Sequence, residues 1–173
     1  MLSHFRMFAA YNRWANRKAY AAAGALPDAD YRADHGAFFG SVHRTLNHLL
    51  VADRIWLRRF TGEGVTAPTL DTILHDDFAS LDAARQTEDD RIIAFVAGLD
   101  DARLAAEIRY APISTPDRTI VQPLQEALAH FFNHQTHHRG QVHTLLTIIG
   151  GPKASLVLDL VAFQRANEYS AAR

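Results

Sequence analysis

The chain has no cysteine among its 173 residues, which excludes disulfides, thiolate zinc sites, iron–sulfur clusters and a catalytic thiol. No apolar run reaches the roughly 18 residues that a membrane span needs, and the N-terminal residues lack the layout of a signal peptide. An excess of one charge is also missing, since 18 basic residues face 19 acidic ones. Nucleic-acid binders normally show a basic excess. We therefore expect a cytoplasmic protein with neither a nucleic-acid nor a membrane partner.

Histidine, by contrast, is abundant. Ten histidines occur in the sequence, and five of them fall between His130 and His143. A chain of this length can bury a full core but is unlikely to form two independent ones. We expect one helical domain over residues 1–173.

Hydrophobic periodicity predicts a bundle of four long helices. Apolar residues recur at helical spacing in four segments, and glycine or proline punctuates the chain between them. A short hairpin or extended loop is expected between residues 106 and 121, because the apolar residues there alternate. The helices are predicted at residues 2–23, 38–60, 70–99 and 124–149, with a short helix at 155–166. The predicted fold class is therefore all-α, a four-helix bundle.

Two charged segments are interpreted as solvent-facing. The third helix has nine acidic residues between Asp71 and Asp101 against two arginines, and a charge run of this kind is typical of a solvated face. The basic residues of the first helix receive the same interpretation, which makes DNA binding the weakest of the functions considered. These basic residues are Arg6, Arg13, Arg17 and Lys18.

The apolar face of the fourth helix contains two histidines at its centre. His134 and His138 are four residues apart, so their rings lie on one side of the helix, about one turn from each other. Buried imidazoles must find a partner or stay neutral, and two neutral rings in this arrangement suit one metal ion. The alternative is a pair of core histidines that hydrogen-bond to other side chains.

The residues around the pair argue against a zinc protease. Those enzymes use the pattern His-Glu-x-x-His, in which the glutamate is the general base. Here Gln135 takes that place, and an amide cannot accept the proton. His130 cannot bind the same ion as His138, because a separation of eight residues is a rise of about 12 Å along a straight helix. The third ligand must come from another helix.

His48, on the most apolar helix, is the best donor of the third ligand. Asp53 interrupts the apolar stripe of that helix and is a rival ligand, although we favour a role in orienting a metal-bound imidazole. A buried salt bridge of Asp53, for example with Arg139, is the alternative. The weaker histidine candidates, closer to polar neighbours or helix ends, are His4, His35, His43 and His75.

Three segments of the chain resemble the DinB/YfiT-like family of damage-inducible metalloproteins. The most specific segment is residues 130–141, with the sequence HFFNHQTHHRGQ, and the other two are residues 46–56 and 11–16. The resemblance implies a four-helix bundle, often dimeric, that holds one divalent metal ion with three histidines. The family's ligand positions fall on His48, His134 and His138. Zinc or nickel is the implied cofactor, and iron also suits histidine nitrogen.

The resemblance also implies a class of function, because the family includes enzymes that depend on low-molecular-weight thiols. We expect a metal-dependent enzyme in which open coordination positions activate a thiol cosubstrate or water against a small electrophile. Asp53, His137 and Gln141 are the candidates for a catalytic group near the ion. The alternatives are a metal-dependent hydrolase and a non-catalytic, metal-binding stress-response protein.

Overall fold

The computed structural model describes residues 1–166, and helices form most of it. The four long helices are α1 (Leu2–Gly24), α3 (Val42–Thr61), α4 (Phe78–Ala97) and α6 (Leu124–Gly150). The short helices are α2 (Asp28–Arg32), α5 (Asp101–Ala105) and α7 (Leu160–Arg165), with a 3-10 turn at Pro152–Ala154. Strands β1 (Glu107–Tyr110) and β2 (Ile120–Pro123) pair antiparallel before α6. The predicted all-α fold, with a hairpin before the last long helix, is confirmed.

Capping side chains determine where α3 and α4 begin. The Ser41 hydroxyl accepts the Arg44 backbone N–H at 3.2 Å, and α3 starts at the next residue, Val42. Asp77 caps α4 in the same way by accepting the Ser80 N–H at 2.8 Å. The predicted helix starts at residues 38 and 70 are therefore wrong. The residues before each cap form loops, and both loops reach the candidate site.

The C-terminal helix is also shorter than its predicted range. Residues 155–159 lie outside a helix, and α7 begins at Leu160. Its Phe163 packs against Met7, Tyr11 and Ala15 of α1. Among residues 1–166, no helix combines the length and the apolar character that crossing a bilayer requires.

The two largest apolar clusters of the core are separated by a polar layer. One cluster lies at the hairpin end and includes Phe60, Ile92 and Phe131. The other lies at the opposite end and includes Leu46 and Leu145. Between them lie seven polar side chains, each at most 2% exposed and joined to one another by hydrogen bonds or ion pairs, which we call the polar layer: Asn12, Asn16, Asp53, Arg85, Asp89, Gln135 and Arg139.

Arg85 of α4 is the centre of the polar layer. Its guanidinium lies 2.5 Å from the Asp53 carboxylate of α3 and 3.1 Å from the Asp89 carboxylate one turn along α4. Asn16 of α1 donates to Asp89 at 2.9 Å. Burial raises the pKa of Asp53 to about 7, although the charge of Arg85 opposes this rise.

The α6 side chains complete the layer. Gln135 donates its amide N–H to Asp53, and Arg139 donates to Asn12 and, at 3.2 Å, to Asn16. All four long helices are therefore joined by hydrogen bonds in the core. Buried polar groups need such partners, because an unpaired one costs about 1–3 kcal/mol.

Two sequence-based interpretations are corrected by this layer. The acidic third helix is not simply a solvated face, because Arg85, Glu88 and Asp89 are at most 2% exposed. The buried salt bridge of Asp53 is made with Arg85, whereas Arg139 bonds to asparagine amides. Arg85 and Asp89 are four residues apart and therefore share one side of α4. That side faces the core, where Arg85 meets Asp53.

Replacement of Asp53 by alanine is expected to destabilise the protein by about 3–5 kcal/mol, because the buried charge of Arg85 loses its partner. Urea unfolding followed by circular dichroism measures the change. Asp90→Ala is the matched control, since the Asp90 side chain is 73% exposed in its ion pair with Arg13. The control should change the free energy of unfolding by less than about 1 kcal/mol. An equal effect of the two substitutions would contradict the assignment.

Candidate metal centre

Three histidines converge where α3 packs against α6. His48 lies on α3, while His134 and His138 lie one turn apart on α6. One ring nitrogen from each residue can be chosen so that all three atoms lie within 4.8 Å of one another. His48 Nε2 and His138 Nε2 are 3.2 Å apart. Two nitrogens on one tetrahedral zinc ion, at bonds of about 2.0–2.1 Å, are separated by about 3.3 Å. The spacing therefore fits a metal ion.

The other ring nitrogens show which way the lone pairs point. His48 Nδ1 lies 2.8 Å from the Leu70 carbonyl oxygen, and His138 Nδ1 lies 2.7 Å from Gln141 Oε1. Both oxygens can only accept, so both Nδ1 atoms carry the hydrogen. In a neutral imidazole this leaves a lone pair on Nε2. Two lone pairs then face each other across 3.2 Å, an arrangement that a cation between them would stabilise.

The three imidazoles are held in the neutral form that binds metals. Burial, together with the neighbouring His138 and His48, lowers the pKa of His134 to about 3. Burial lowers the pKa of His138 to about 4, although the hydrogen bond that His138 donates to Gln141 opposes this shift. Burial also lowers the pKa of His48. Near neutral pH, protons therefore compete weakly with a metal for these nitrogens.

Phe39 covers one side of this centre. Its ring stacks on His48 with 4.0 Å between centroids and meets His138 edge-on at 5.6 Å. Phe39 belongs to the loop before α3, and Leu70 to the loop before α4. The two loops therefore fix the orientation of His48 from outside the bundle.

The remaining candidates lie around the centre in different roles. Gln141 orients His138, and His137 is exposed, with its ring edge-on to that of His138 at 4.7 Å between centroids. Asp53 bonds to Arg85 and Gln135 and to no imidazole, so the predicted role of Asp53 in orienting a histidine is wrong. It is a member of the polar layer because α3 turns it toward the core.

The other histidines do not join the three-histidine group. His130 is exposed and packs beside Trp56, with 5.1 Å between ring centroids. Its exclusion agrees with the helix rise that separates it from His138. Within residues 1–166, the weaker candidates also stay outside the group: His4, His35, His43 and His75.

Some contributions could not be found from sequence patterns. The Leu70 carbonyl and the Phe39 ring come from loops, which have no periodicity to predict their position. Arg85 did carry a signal, because its spacing of four residues from Asp89 is typical of an ion pair on one helix face.

Comparison with known proteins identifies the relatives of this fold and site. The DinB family model matches residues 1–168. The chain belongs to the DinB family. Protein DinB of Bacillus subtilis (strain 168) is 24% identical over 172 residues, which cover 91% of this chain and 93% of that protein. The resemblance seen in the sequence is thus confirmed, and this DinB family member has a buried three-histidine group that fits a metal site.

Replacement of Gln141 by alanine is expected to weaken metal binding about 10–100-fold, because His138 loses the acceptor that orients it. Gln141→Glu should bind nearly as well as the parent protein, since a carboxylate also accepts from Nδ1. Competition with a chromogenic chelator gives the dissociation constants. Gln125→Ala is the control, because Gln125 lies on the same helix and its side chain has no hydrogen bond within residues 1–166. Unchanged affinity in Gln141→Ala would rule out the orienting role.

Proposed function

We propose that this DinB family protein is a metal-dependent enzyme that activates a low-molecular-weight thiol against a small electrophilic substrate. The observation that supports it most is the convergence of neutral imidazoles whose Nε2 lone pairs, on His48 and His138, face each other. A divalent ion bound there, zinc or nickel in the first place, would supply a positive charge and coordination positions at which a thiol or water loses its proton.

The composition of the group favours a catalytic site over a structural one. Within residues 1–166, only the three histidines belong to it, and neither Asp nor Glu adds a fourth ligand. Structural zinc sites normally have four protein ligands, whereas catalytic sites keep a position for substrate or water. The chain has no cysteine, so a thiol must arrive as a cosubstrate.

The surrounding residues restrict the site in ways that suit this chemistry. Gln141 and the Leu70 carbonyl hold two imidazoles in one tautomer, so the ligands need little rearrangement. Phe39 excludes water from one side of His48. His137 is our candidate for proton transfer with the substrate, because its ring is exposed and borders His138.

Loss of any one of the three histidines is expected to remove the bound metal. The variants are His48→Ala, His134→Ala and His138→Ala, and metal content per chain is measured by mass spectrometry after purification. His130→Ala is the control, because this histidine lies on the same helix outside the group, and it should keep the metal. Full metal retention in all three ligand variants would refute the site.

Metal-loaded protein is expected to consume thiol and form a thioether when given a panel of electrophiles. His138→Ala should lose this activity, and chelation should remove it from the parent protein. Thiol loss and product mass are measured together. Thiol consumption no faster than background would refute the transferase. A product formed equally well without thiol would indicate a hydrolase, and neither product would indicate a non-catalytic metal protein.

A further inference from the structure

A cavity of about 660 Å³ lies between the loops before α3 and α4, next to residues that contact His48. Phe39 and Leu70, which both contact His48, also form part of the cavity wall. Sites for small molecules usually enclose about 300–1,000 Å³. The cavity is therefore large enough for the part of a substrate or cosubstrate that extends away from the ion.

Most polar side chains of the wall are already paired. Arg32 donates to the carboxylates of Asp28 and Asp76, at 2.9 and 3.0 Å, and to the Asp76 carbonyl. The Asp34 carboxylate accepts the Gly36 N–H at 2.8 Å. The role of these groups is to shape the loops. Two charged side chains of the wall remain, Arg44 and Asp71, and neither forms an ion pair within residues 1–166.

Arg44 is the first of these. Its guanidinium is exposed and makes no hydrogen bond or ion pair with any other residue in the range 1–166. It lies in the first turn of α3, where the helix dipole disfavours a cation. Arg44 also precedes His48 by one helical turn, about 6 Å, on the same side of α3. Its charge is therefore free to bind an anionic group that enters the cavity.

Asp71 is the second. It follows Leu70, whose carbonyl orients His48, and it faces the same cavity. A hydrogen bond from Thr69 lowers the pKa of Asp71, and the charge of Arg44 adds weakly to that effect. No ion pair within 4.0 Å joins Asp71 to Arg44 in the described part of the chain. The two opposite charges thus border one space without direct contact.

We propose that this cavity binds the α-amino-acid end of a small ligand, with Arg44 binding the carboxylate and Asp71 the ammonium. The inference rests on the proposed function and deepens it, because the bound molecule is then a thiol with a free amino acid group. A simple anion would meet the carboxylates of Asp34 and Asp71, and a simple cation would leave Arg44 unpaired. A zwitterion matches both signs of charge.

Four small thiols test the contributions of the ligand's carboxylate and ammonium groups separately. L-cysteine carries both groups, 3-mercaptopropionate only the carboxylate, cysteamine only the ammonium, and 2-mercaptoethanol neither. Dissociation constants are measured on zinc-loaded protein by NMR titration. We expect L-cysteine to bind at least about tenfold more tightly than 2-mercaptoethanol, because two charge-assisted hydrogen bonds are added.

Variants assign each preference to its residue. Arg44→Gln should abolish the advantage of 3-mercaptopropionate over 2-mercaptoethanol, and Asp71→Asn should abolish that of cysteamine. Arg118→Gln is the control, because Arg118 is exposed in the hairpin loop, away from the cavity. Direct chelation of zinc by an amino thiol would also favour L-cysteine, but both variants would leave that preference unchanged. Equal binding of the four thiols, or a preference that survives both substitutions, would overturn the inference.

Cobalt-loaded protein distinguishes failure of this inference from failure of the proposed function. A sulfur-to-cobalt absorption band reports that a thiol binds the ion. Such a band with all four thiols at equal affinity would keep the proposed function and reject the amino acid site. A preference that depends on Arg44 and Asp71 but gives no band would keep the amino acid site and reject thiol activation.

Discussion

The position of α3 relative to α6 depends on the buried ion pair between Asp53 and Arg85. Asp53 also accepts from Gln135, so one carboxylate joins α3, α4 and α6. A buried charge is strongly destabilising without its partner, and a shift of one helix by a turn would leave both charges unpaired. Apolar packing alone tolerates such shifts better, because its contacts are not directional. The ion pair therefore selects the register that places His48 opposite His138.

Two pairs of residues on α6, each with a spacing of four, have different roles. His134 and His138 face His48, while Gln135 and Arg139 face the polar layer, because neighbouring residues on a helix are about 100° apart. This explains why Gln135 stands where a zinc protease would have glutamate. Its amide donates to Asp53 and accepts from Arg139 at 3.4 Å. A glutamate there would place a second carboxylate against Asp53, inside the core.

The helices and the pairing of His134 with His138 could be predicted because both follow helical periodicity, whereas His48 was predicted from its place on the most apolar helix and from the family resemblance. His134 and His138 share a face whatever the rest of the chain does, and the limited rise between ligands excluded His130. The starts of α3 and α4 could not be placed, since they depend on the caps Ser41 and Asp77. The partner of Asp53 depended on a choice between two buried arginines on different helices, and a single sequence contains no information on which one faces it.

The division between helices and loops also separates the residues that packing constrains from those that can change more freely. The ligands and the polar layer come from the long helices, where each residue is constrained by packing. Phe39, Leu70 and Asp71, which border the cavity, come from two loops, and loops tolerate substitution far better. A change in these loops would alter the shape and charge beside the three histidines without disturbing the buried ion pair of Asp53 and Arg85. The fold therefore constrains the three histidines more tightly than it constrains the residues that border the cavity.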